Sequence, residues 1–153
     1  MLSVSRATPP DLPALLPLFA GYRAFYGHAA EPARAEAFLL DRMERGESVV
    51  LLARRDGRAV GFVQLYPIFS STRMARAWLL NDLFVAPADR GTGTASALLE
   101  AARAFGRETG AVELMLQTAR DNATAQKLYE RLGWKRDDEF MVYTLDPRAT
   151  SPT

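Results

Sequence analysis

The sequence predicts a mixed α/β fold, in which helices cover both faces of one mixed β-sheet. Along the 153 residues the spacing of apolar residues alternates between helical and strand periods, and hydrophobic residues make up 48% of the chain, enough for a core. A meander of strands precedes a central strand–helix–strand unit, whose two strands should pair in parallel. We expect a single domain over residues 1–146 and a flexible C-terminal tail over residues 147–153.

A strand over residues 2–6 and a first helix are predicted at the start of the chain. Thr8 is the expected N-cap of this helix, with Pro9 at its first position and Asp11 reaching back to the cap. The apolar face of the helix carries Leu12, Leu15, Leu16 and Phe19. Pro17 lacks the N–H group that a helix needs, so we expect the helix to kink or restart there.

A second helix is predicted over residues 32–45, with Gly46 as its stop. The period then changes and predicts three strands, over residues 48–54, 59–66 and 75–85. Asp56 and Gly57 indicate a tight hairpin turn between the first two of these strands, because both residue types tolerate positive φ. We expect a loop over residues 67–74.

A glycine-rich segment follows the last of these strands. It consists of Arg90, Gly91, Thr92, Gly93, Thr94 and Ala95. Glycine lets a ligand approach the backbone closely, and the free N–H groups and dipole of the following helix favour negative charge at its start. The segment therefore suits a pyrophosphate, although a turn that closes a strand–helix corner without any ligand fits the sequence equally well.

Two other phosphate-binding motifs fit this segment less well. A P-loop requires Lys and then Ser or Thr after its second glycine, where this chain has Thr94 and Ala95. A dinucleotide-binding turn requires Gly or Ala at the position of Ser96, and an acidic residue about 20 residues further on, near Glu113. The pattern predicts only one strand–helix–strand unit, which is too little for a dinucleotide-binding domain.

Beyond the glycine-rich segment, the pattern predicts a helix, a strand, a second helix and two final strands. The last four of these elements cover residues 112–118, 122–132, 134–137 and 140–145. The predicted order is therefore β-α-α-β-β-β-α-β-α-β-β.

Composition excludes several classes of site and partner. The chain has no cysteine and a single histidine, His28, so we expect no metal site and no Ser-His-Asp triad. A net charge of +1, from 19 basic and 18 acidic residues, gives no electrostatic reason to expect nucleic acid or a membrane surface as partner. With no signal-peptide pattern and no apolar run near ~20 residues, we expect a cytoplasmic protein.

Two motifs resemble those of the GNAT superfamily of acetyl-CoA-dependent N-acetyltransferases. The family's first motif, Gln/Arg-x-x-Gly-x-Gly/Ala, matches Arg90, Gly93 and Ala95. The second motif matches Asn122, Ala125, Tyr129, Gly133 and Trp134. The strand over residues 80–85 is similar to the family's central strand, and the order of elements matches from residue 2 to residue 145.

The resemblance implies acetyl-CoA as cosubstrate, bound where the central strand and the next strand splay apart. The backbone of Leu83, Phe84 and Val85 would line this gap, with groups of Leu83 and Val85 pairing with the pantetheine arm and an N–H there stabilising the oxyanion. The remaining contacts would come from the backbone of residues 90–95, which would hold the pyrophosphate, and from Asn122 and Ala125.

Tyr129 is the implied general acid, because a phenol with a pKa near 10 can protonate the coenzyme A thiolate as it leaves. Alternatively, Tyr129 is a core residue on the apolar face of its helix.

The general base is less well defined. Some polyamine-acetylating members of the family carry Glu at the position of Asn81, and Asp82 is the neighbouring candidate. Strand alternation should turn Asp82 to the other face of the sheet unless a bulge intervenes. A salt-bridged or capping role for Asp82, and proton transfer through water without a single base, remain open alternatives.

The acceptor is expected to be a small primary amine, such as a polyamine or an amino acid, bound between the first two helices and the loop over residues 67–74. Its aromatic wall would comprise Tyr22, Phe25, Tyr26, Tyr66 and Phe69, unless these are core residues. A coenzyme A-binding sensor and a protein-modifying acetyltransferase are alternatives. The resemblance also suggests a homodimer through the last strands, with residues 140–143 at the contact.

Overall fold

A computed structural model describes residues 1–152 and contains one mixed sheet of five strands in the order β1-β2-β3-β4-β5. The strands are β1 (Leu2–Arg6), β2 (Val49–Arg55), β3 (Arg58–Ser70), β4 (Ala75–Val85) and β5 (Leu114–Met115). The first four pair antiparallel with their neighbours, and β4 pairs with β5 in parallel. The predicted fold class is confirmed. Thr153, the last residue of the predicted tail, lies outside the described residues.

Helices pack on both faces of this sheet. The helices are α1 (Leu12–Phe25), α2 (Pro32–Glu44), α3 (Thr94–Glu108) and α4 (Ala123–Arg131). Phe19 of α1 and Leu39 of α2 share a buried cluster with Phe62 of β3. The preceding residue of β3, Gly61, faces the other side of the sheet: a Cβ atom there would lie 3.2 Å from Leu98 of α3. Two helices therefore cover one face and α3 covers the other.

The start of the first helix differs from the prediction in two details. The Thr8 N–H group donates to Asp11 Oδ2 at 2.8 Å, as predicted, but Pro9–Asp11 form a 3-10 turn and α1 begins only after it. Of the kink or restart expected at Pro17, the restart is wrong, because α1 continues through this residue, and the kink stays a prediction. Pro17 is exposed while the apolar face of the helix is buried, so packing maintains the helix across the missing hydrogen bond.

Two predicted boundaries in the middle of the chain are wrong. β3 continues to Ser70, which pairs with Ala75, so the loop predicted over residues 67–74 shrinks to residues 71–74. The long ladder with β4 supplies the pairing that extends β3. The strand predicted over residues 112–118 shrinks to the two residues of β5, because β4 and β5 pair at only two positions.

The two strands predicted after α4, over residues 134–137 and 140–145, are not formed in the part of the chain that the structure describes. The side chains of Phe140 and Tyr143 are 77% and 88% exposed, so apolar burial does not favour a sheet there. Polar groups bond locally instead: Asp137 Oδ1 accepts from the Glu139 N–H group at 2.8 Å, which competes with strand pairing.

The chain forms two compact units, Met1–Gln117 and the residues from Thr118 onward. The first unit contains the sheet and the helices α1 to α3, and the second contains α4. The predicted division into a domain over residues 1–146 and a tail over residues 147–153 stays a prediction. Among residues 1–152, none of the helices combines the length and the apolar character needed to cross a membrane.

Candidate functional site

A β-bulge in β4 brings two neighbouring polar residues to the same cavity. Gln64 of β3 pairs with Asp82, but the next pair is Leu65 with Leu80, so Asn81 is an extra residue of β4. A bulge breaks the alternation of side chains along a strand. Asn81 and Asp82 therefore both line a cavity between α1, α2 and the sheet. The bulge on which the Asp82 prediction depended is present.

The cavity has a volume of about 370 Å³ and a largely aromatic wall. Its aromatic residues are Phe19, Tyr22, Tyr26, Phe38 and Tyr66. Phe19 and Phe38 were not predicted as wall residues, although both lie on apolar helix faces; their rings stack with centroids 6.4 Å apart.

Two residues of the predicted aromatic wall lie elsewhere. Phe25 is 67% exposed and packs edge-on against Tyr26, and Phe69 is 70% exposed beneath the guanidinium of Arg76. Phe69 lies near the end of β3 rather than in a loop, and therefore does not reach the cavity.

Asp82 is only 2% exposed and is the most buried charged residue of the cavity, so we refer to its position as the closed end of the cavity. Gln64 Nε2 donates to its Oδ2 atom and Asn81 Nδ2 donates to its Oδ1 atom, both at 2.7 Å. These partners are neutral amides, so the salt-bridged and capping alternatives for Asp82 are not observed. Burial raises the pKa of the Asp82 carboxyl, because desolvation disfavours the charged form; hydrogen bonds from Asn81, Gln64 and Tyr22 oppose this shift.

Two phenols flank this carboxylate. The Tyr22 hydroxyl donates to the Asn81 carbonyl oxygen at 3.2 Å. Burial, and then the negative charge of Asp82, raise the pKa of Tyr66 to about 12 and hold the pKa of Tyr22 well above its usual 10.0. Both phenols are therefore neutral near pH 7.

The mouth of the cavity carries charged side chains from α1, α2 and the segment between them. Arg23 donates to the carbonyl oxygens of Ala29 and Ala30 and, through Nη2, to Glu31 at 3.2 Å. Arg34 donates to the same Glu31 carboxylate, also at 3.2 Å. His28 also lines this region.

The glycine-rich turn leaves open space in front of its backbone. Gly91 and Gly93 adopt φ values of 74° and 85°, a region that favours glycine, and a Cβ atom at either would meet nothing within 4 Å. Gly93 is the N-cap of α3, and within residues 1–152 that helix has no side-chain cap hydrogen bond at its N-terminus. The first N–H groups of α3 are therefore available to an external acceptor.

Two arginines of the hairpin between β2 and β3 contact this turn. Arg58 forms a bidentate ion pair with the buried Asp89: its Nη1 atom donates to Oδ2 at 3.0 Å and its Nη2 atom to Oδ1 at 3.1 Å. Arg55 Nη2 donates to Thr92 Oγ1 at 3.1 Å and to Thr94 Oγ1 at 3.3 Å. These contacts were not predictable from the sequence, because no local pattern links residues more than 30 positions apart.

Arg90, which begins the glycine-rich turn, also contacts the end of β4. Its Nε atom donates to the Val85 carbonyl oxygen at 3.0 Å, and its guanidinium lies 5.5 Å from the centroid of the Phe84 ring.

Pairing between β4 and β5 is confined to Trp78 and Leu79, so within the described residues the rest of β4 has no partner strand on that side.

The other predicted site residues lie in the second unit. Asn122 is the N-cap of α4, and its Oδ1 atom accepts from the Ala125 N–H group at 3.2 Å. Tyr129 is half-buried, and its ring packs against Trp134 with centroids 6.2 Å apart. The roles predicted for these residues toward coenzyme A stay predictions.

The sequence matches the model of the Acetyltransferase (GNAT) family over residues 15–134, which is most of the chain. The protein belongs to the GNAT acetyltransferase family. The family resemblance and the acyltransferase class predicted from the motifs are thereby confirmed.

This acetyltransferase also has similar relatives along nearly its whole length. It is 44% identical over 148 residues to an uncharacterized N-acetyltransferase of Bacillus subtilis (strain 168), YhfO, covering 97% of this chain and 99% of that protein. It is 34% identical to a probable acetyltransferase of Haemophilus influenzae, with coverage of 88% and 91%. A crystal structure of a probable acetyltransferase superposes with a TM-score of 0.91 at 43% identity, covering 97% of this chain and 99% of the other.

Proposed function

We propose that this acetyltransferase transfers the acetyl group of acetyl-CoA to a primary amine bound in the cavity between α1, α2 and the sheet. The main support for this proposal is the path of β4 through the fold. Its bulge turns Asn81 and Asp82 into the cavity, and the same strand leads beyond Val85 into the glycine-rich turn. One strand thus connects a cavity suited to an amine with a turn suited to an anion.

The glycine-rich turn fits the pyrophosphate of acetyl-CoA. No side chain occupies the space before Gly91 and Gly93, and the first N–H groups of α3 lack a side-chain cap. Arg90 places a positive charge beside them. We also assign the backbone of residues 83–85 to the pantetheine arm, since β4 has no partner on the β5 side there within the described chain.

Two side chains are assigned to proton transfer. When bound, acetyl-CoA supplies a thioester whose carbonyl carbon accepts the amine, so that a C–N bond forms and the C–S bond breaks. An alkylammonium is only about 0.04% neutral at pH 7, so a base must take its proton. Asp82 is the acid of the cavity that no arginine neutralises, and it accepts that proton. Tyr129 gives its phenolic proton to the departing sulfur.

The proposal is tested by measuring thiol release from acetyl-CoA in the presence of polyamines, amino acids, aminoglycosides and peptides, with the acetylated product identified by mass spectrometry. We expect release that depends on a small amine. Coenzyme binding by calorimetry without release for any amine would contradict the proposal and favour a sensor. Release with peptides alone would instead indicate a protein-modifying enzyme.

We further propose that the protein forms a homodimer. The exposed apolar run Phe140, Met141, Val142 and Tyr143 supports this assignment, because a contiguous apolar surface favours association. Sedimentation equilibrium should give the mass of two chains, and a monomer mass at all concentrations would exclude it.

A further inference from the structure

The charges of the acceptor cavity are separated between its closed end and its mouth. At the closed end lies Asp82, which is 2% exposed. Toward solvent lie Arg23, Glu31 and Arg34, whose side chains are 21%, 42% and 80% exposed. The cavity therefore presents an acid in its depth and a mixed, mainly basic group at its entrance.

The mouth has a net positive charge. Glu31 is the acid there, and two arginines share its carboxylate, each with an N–O distance of 3.2 Å. Two guanidinium charges against one carboxylate leave a surplus of one positive charge. His28 is either neutral or cationic, so it cannot reverse this sign.

Arg34 is the arginine with capacity for a ligand. Arg23 already donates to the carbonyl oxygens of Ala29 and Ala30 as well as to Glu31, which fixes it to the segment before α2. The Arg34 contacts with Glu31 both come from its Nη1 atom, and its side chain is 80% exposed. A guanidinium offers five donors, so Arg34 can still receive a carboxylate.

The closed end of the cavity favours the opposite charge in a ligand, a cation. The side-chain partners of Asp82 are the amides of Gln64 and Asn81 and the hydroxyl of Tyr22, which carry no charge to neutralise it. The aromatic rings of Tyr22 and Tyr66 line the cavity beside it and stabilise a cation further.

We propose that the acceptor is an aminocarboxylate, whose primary amine lies at Asp82 and whose carboxylate lies at the mouth beside Arg34. This assignment rests on the proposed function and narrows its substrate class. It disfavours polyamines, because their distal ammonium group would meet the positive charge of the mouth. A cavity of about 370 Å³ has the size of a site for a small molecule.

Three amines with the same five-carbon chain provide the test: 5-aminopentanoate, pentylamine and 1,5-diaminopentane. They differ at the far end, which is a carboxylate, a methyl group or an ammonium group. We expect kcat/KM for thiol release to fall in that order at low salt, by roughly two- to fivefold per step, after correction for the two amines of the diamine. At 1 M salt, where the screening length is only about 3 Å, the differences should shrink.

Variants of the mouth sharpen the test. Arg34→Gln removes the surplus charge and should bring the ratio of kcat/KM for 5-aminopentanoate over pentylamine toward one. Arg34→Glu makes the mouth net negative and should reverse the order in favour of the diamine. Arg45→Gln changes an exposed arginine at the other end of α2, outside the cavity, and should leave the order as in the wild type.

The outcomes separate this inference from the proposed function. Equal rates for the three amines, a preference for the diamine in the wild type, or an unchanged order in Arg34→Glu would each overturn the aminocarboxylate assignment while leaving amine acetylation intact. Release with polyamines or aminoglycosides of the panel, but with neither 5-aminopentanoate nor any amino acid, would also overturn the aminocarboxylate assignment. Absence of release with every amine would remove both.

Discussion

Gln64 Nε2 donates a 2.7 Å hydrogen bond to Asp82 Oδ2, although Gln64 is 0% and Asp82 only 2% exposed. The Oε1 atom of Gln64 has no partner among the described residues, so only the donor half of this amide is used. A buried carboxylate is thus held by neutral donors at the closed end of the acceptor cavity. Such an arrangement fixes the position of the carboxylate without neutralising it.

If Asp82 is the base, Asp82→Asn should lower kcat/KM for pentylamine by roughly 10²- to 10⁴-fold. The wild-type rate should also rise with pH around a pKa above the usual 3.8 of an aspartate, and the variant should lack this limb of the profile. Glu31→Gln, which changes the acid already shared by two arginines, should lose far less activity. Equal losses in the two variants would argue against a specific role for Asp82.

The same substitution has a predicted signature in stability. Because burial raises the folded-state pKa of Asp82, the unfolded chain loses this proton first as pH rises above 3.8. The free energy of unfolding of the wild type should therefore fall relative to that of Asp82→Asn between about pH 4 and the raised pKa. Urea unfolding at several pH values measures this difference, and a gap that does not change with pH would contradict the direction of the shift.

Tyr129→Phe tests the general acid. The variant keeps the ring that packs against Trp134 and loses only the proton donor, so kcat should fall by roughly 10²- to 10⁴-fold while the Kd for acetyl-CoA changes little. Tyr143→Phe is the matched control, because Tyr143 lies outside the cavity and the substitution keeps the apolar ring assigned to the proposed dimer contact. An unchanged kcat in Tyr129→Phe would remove the assignment.

The sequence was sufficient to predict features that depend on neighbouring residues. Asp56 and Gly57 adopt φ values of 51° and 83°, as the predicted hairpin turn requires, and Gly91 and Gly93 also lie in the left-handed region. These conformations follow from the residue types themselves, so a short stretch of chain is enough to identify them.

Features that depend on distant partners were not predictable in the same way. The bulge at Asn81 is defined by the register of β4 against Gln64 and Leu65, which the sequence of β4 alone does not contain. The apolar residues 140–145 have a strand-like composition but no partner strand in the described chain, and composition cannot supply one.

Gly93→Ala should weaken coenzyme binding by more than its loss of fold stability explains. A side chain at φ 85° costs about 1–2 kcal/mol, and it would also enter the open space before the turn. We expect KM for acetyl-CoA to rise by roughly tenfold, since close approach of backbone to ligand is lost. Gly46 directly follows the C-cap of α2, and Gly46→Ala imposes similar strain there at φ 66°. This variant should lower Tm without raising KM for acetyl-CoA. A parallel rise in both variants would indicate a general effect of destabilisation.

Asp89→Asn tests the support of the glycine-rich turn. The hydrogen bonds from Arg58 hold the pKa of Asp89 below its usual 3.8, so the pair stabilises the fold above about pH 4 and its contribution is lost as pH falls through the lowered pKa. The variant should therefore have a lower Tm than the wild type at pH 7 and a similar Tm near pH 2. It should also raise KM for acetyl-CoA by at least a few-fold; an unaltered KM would mean that the turn keeps its shape without the pair.

Nine of the twelve residues that line the acceptor cavity come from one stretch of chain, between Phe19 and Phe38, and the sheet supplies the other three. The glycine-rich turn, in contrast, lies more than 50 positions further on. In the proposed assignment, substrate preference can therefore diversify during evolution through changes confined to one short stretch, while the segment assigned to the acetyl donor stays unchanged. For the same reason, exchange of this stretch with that of a relative offers a direct route to altering the choice of amine by design.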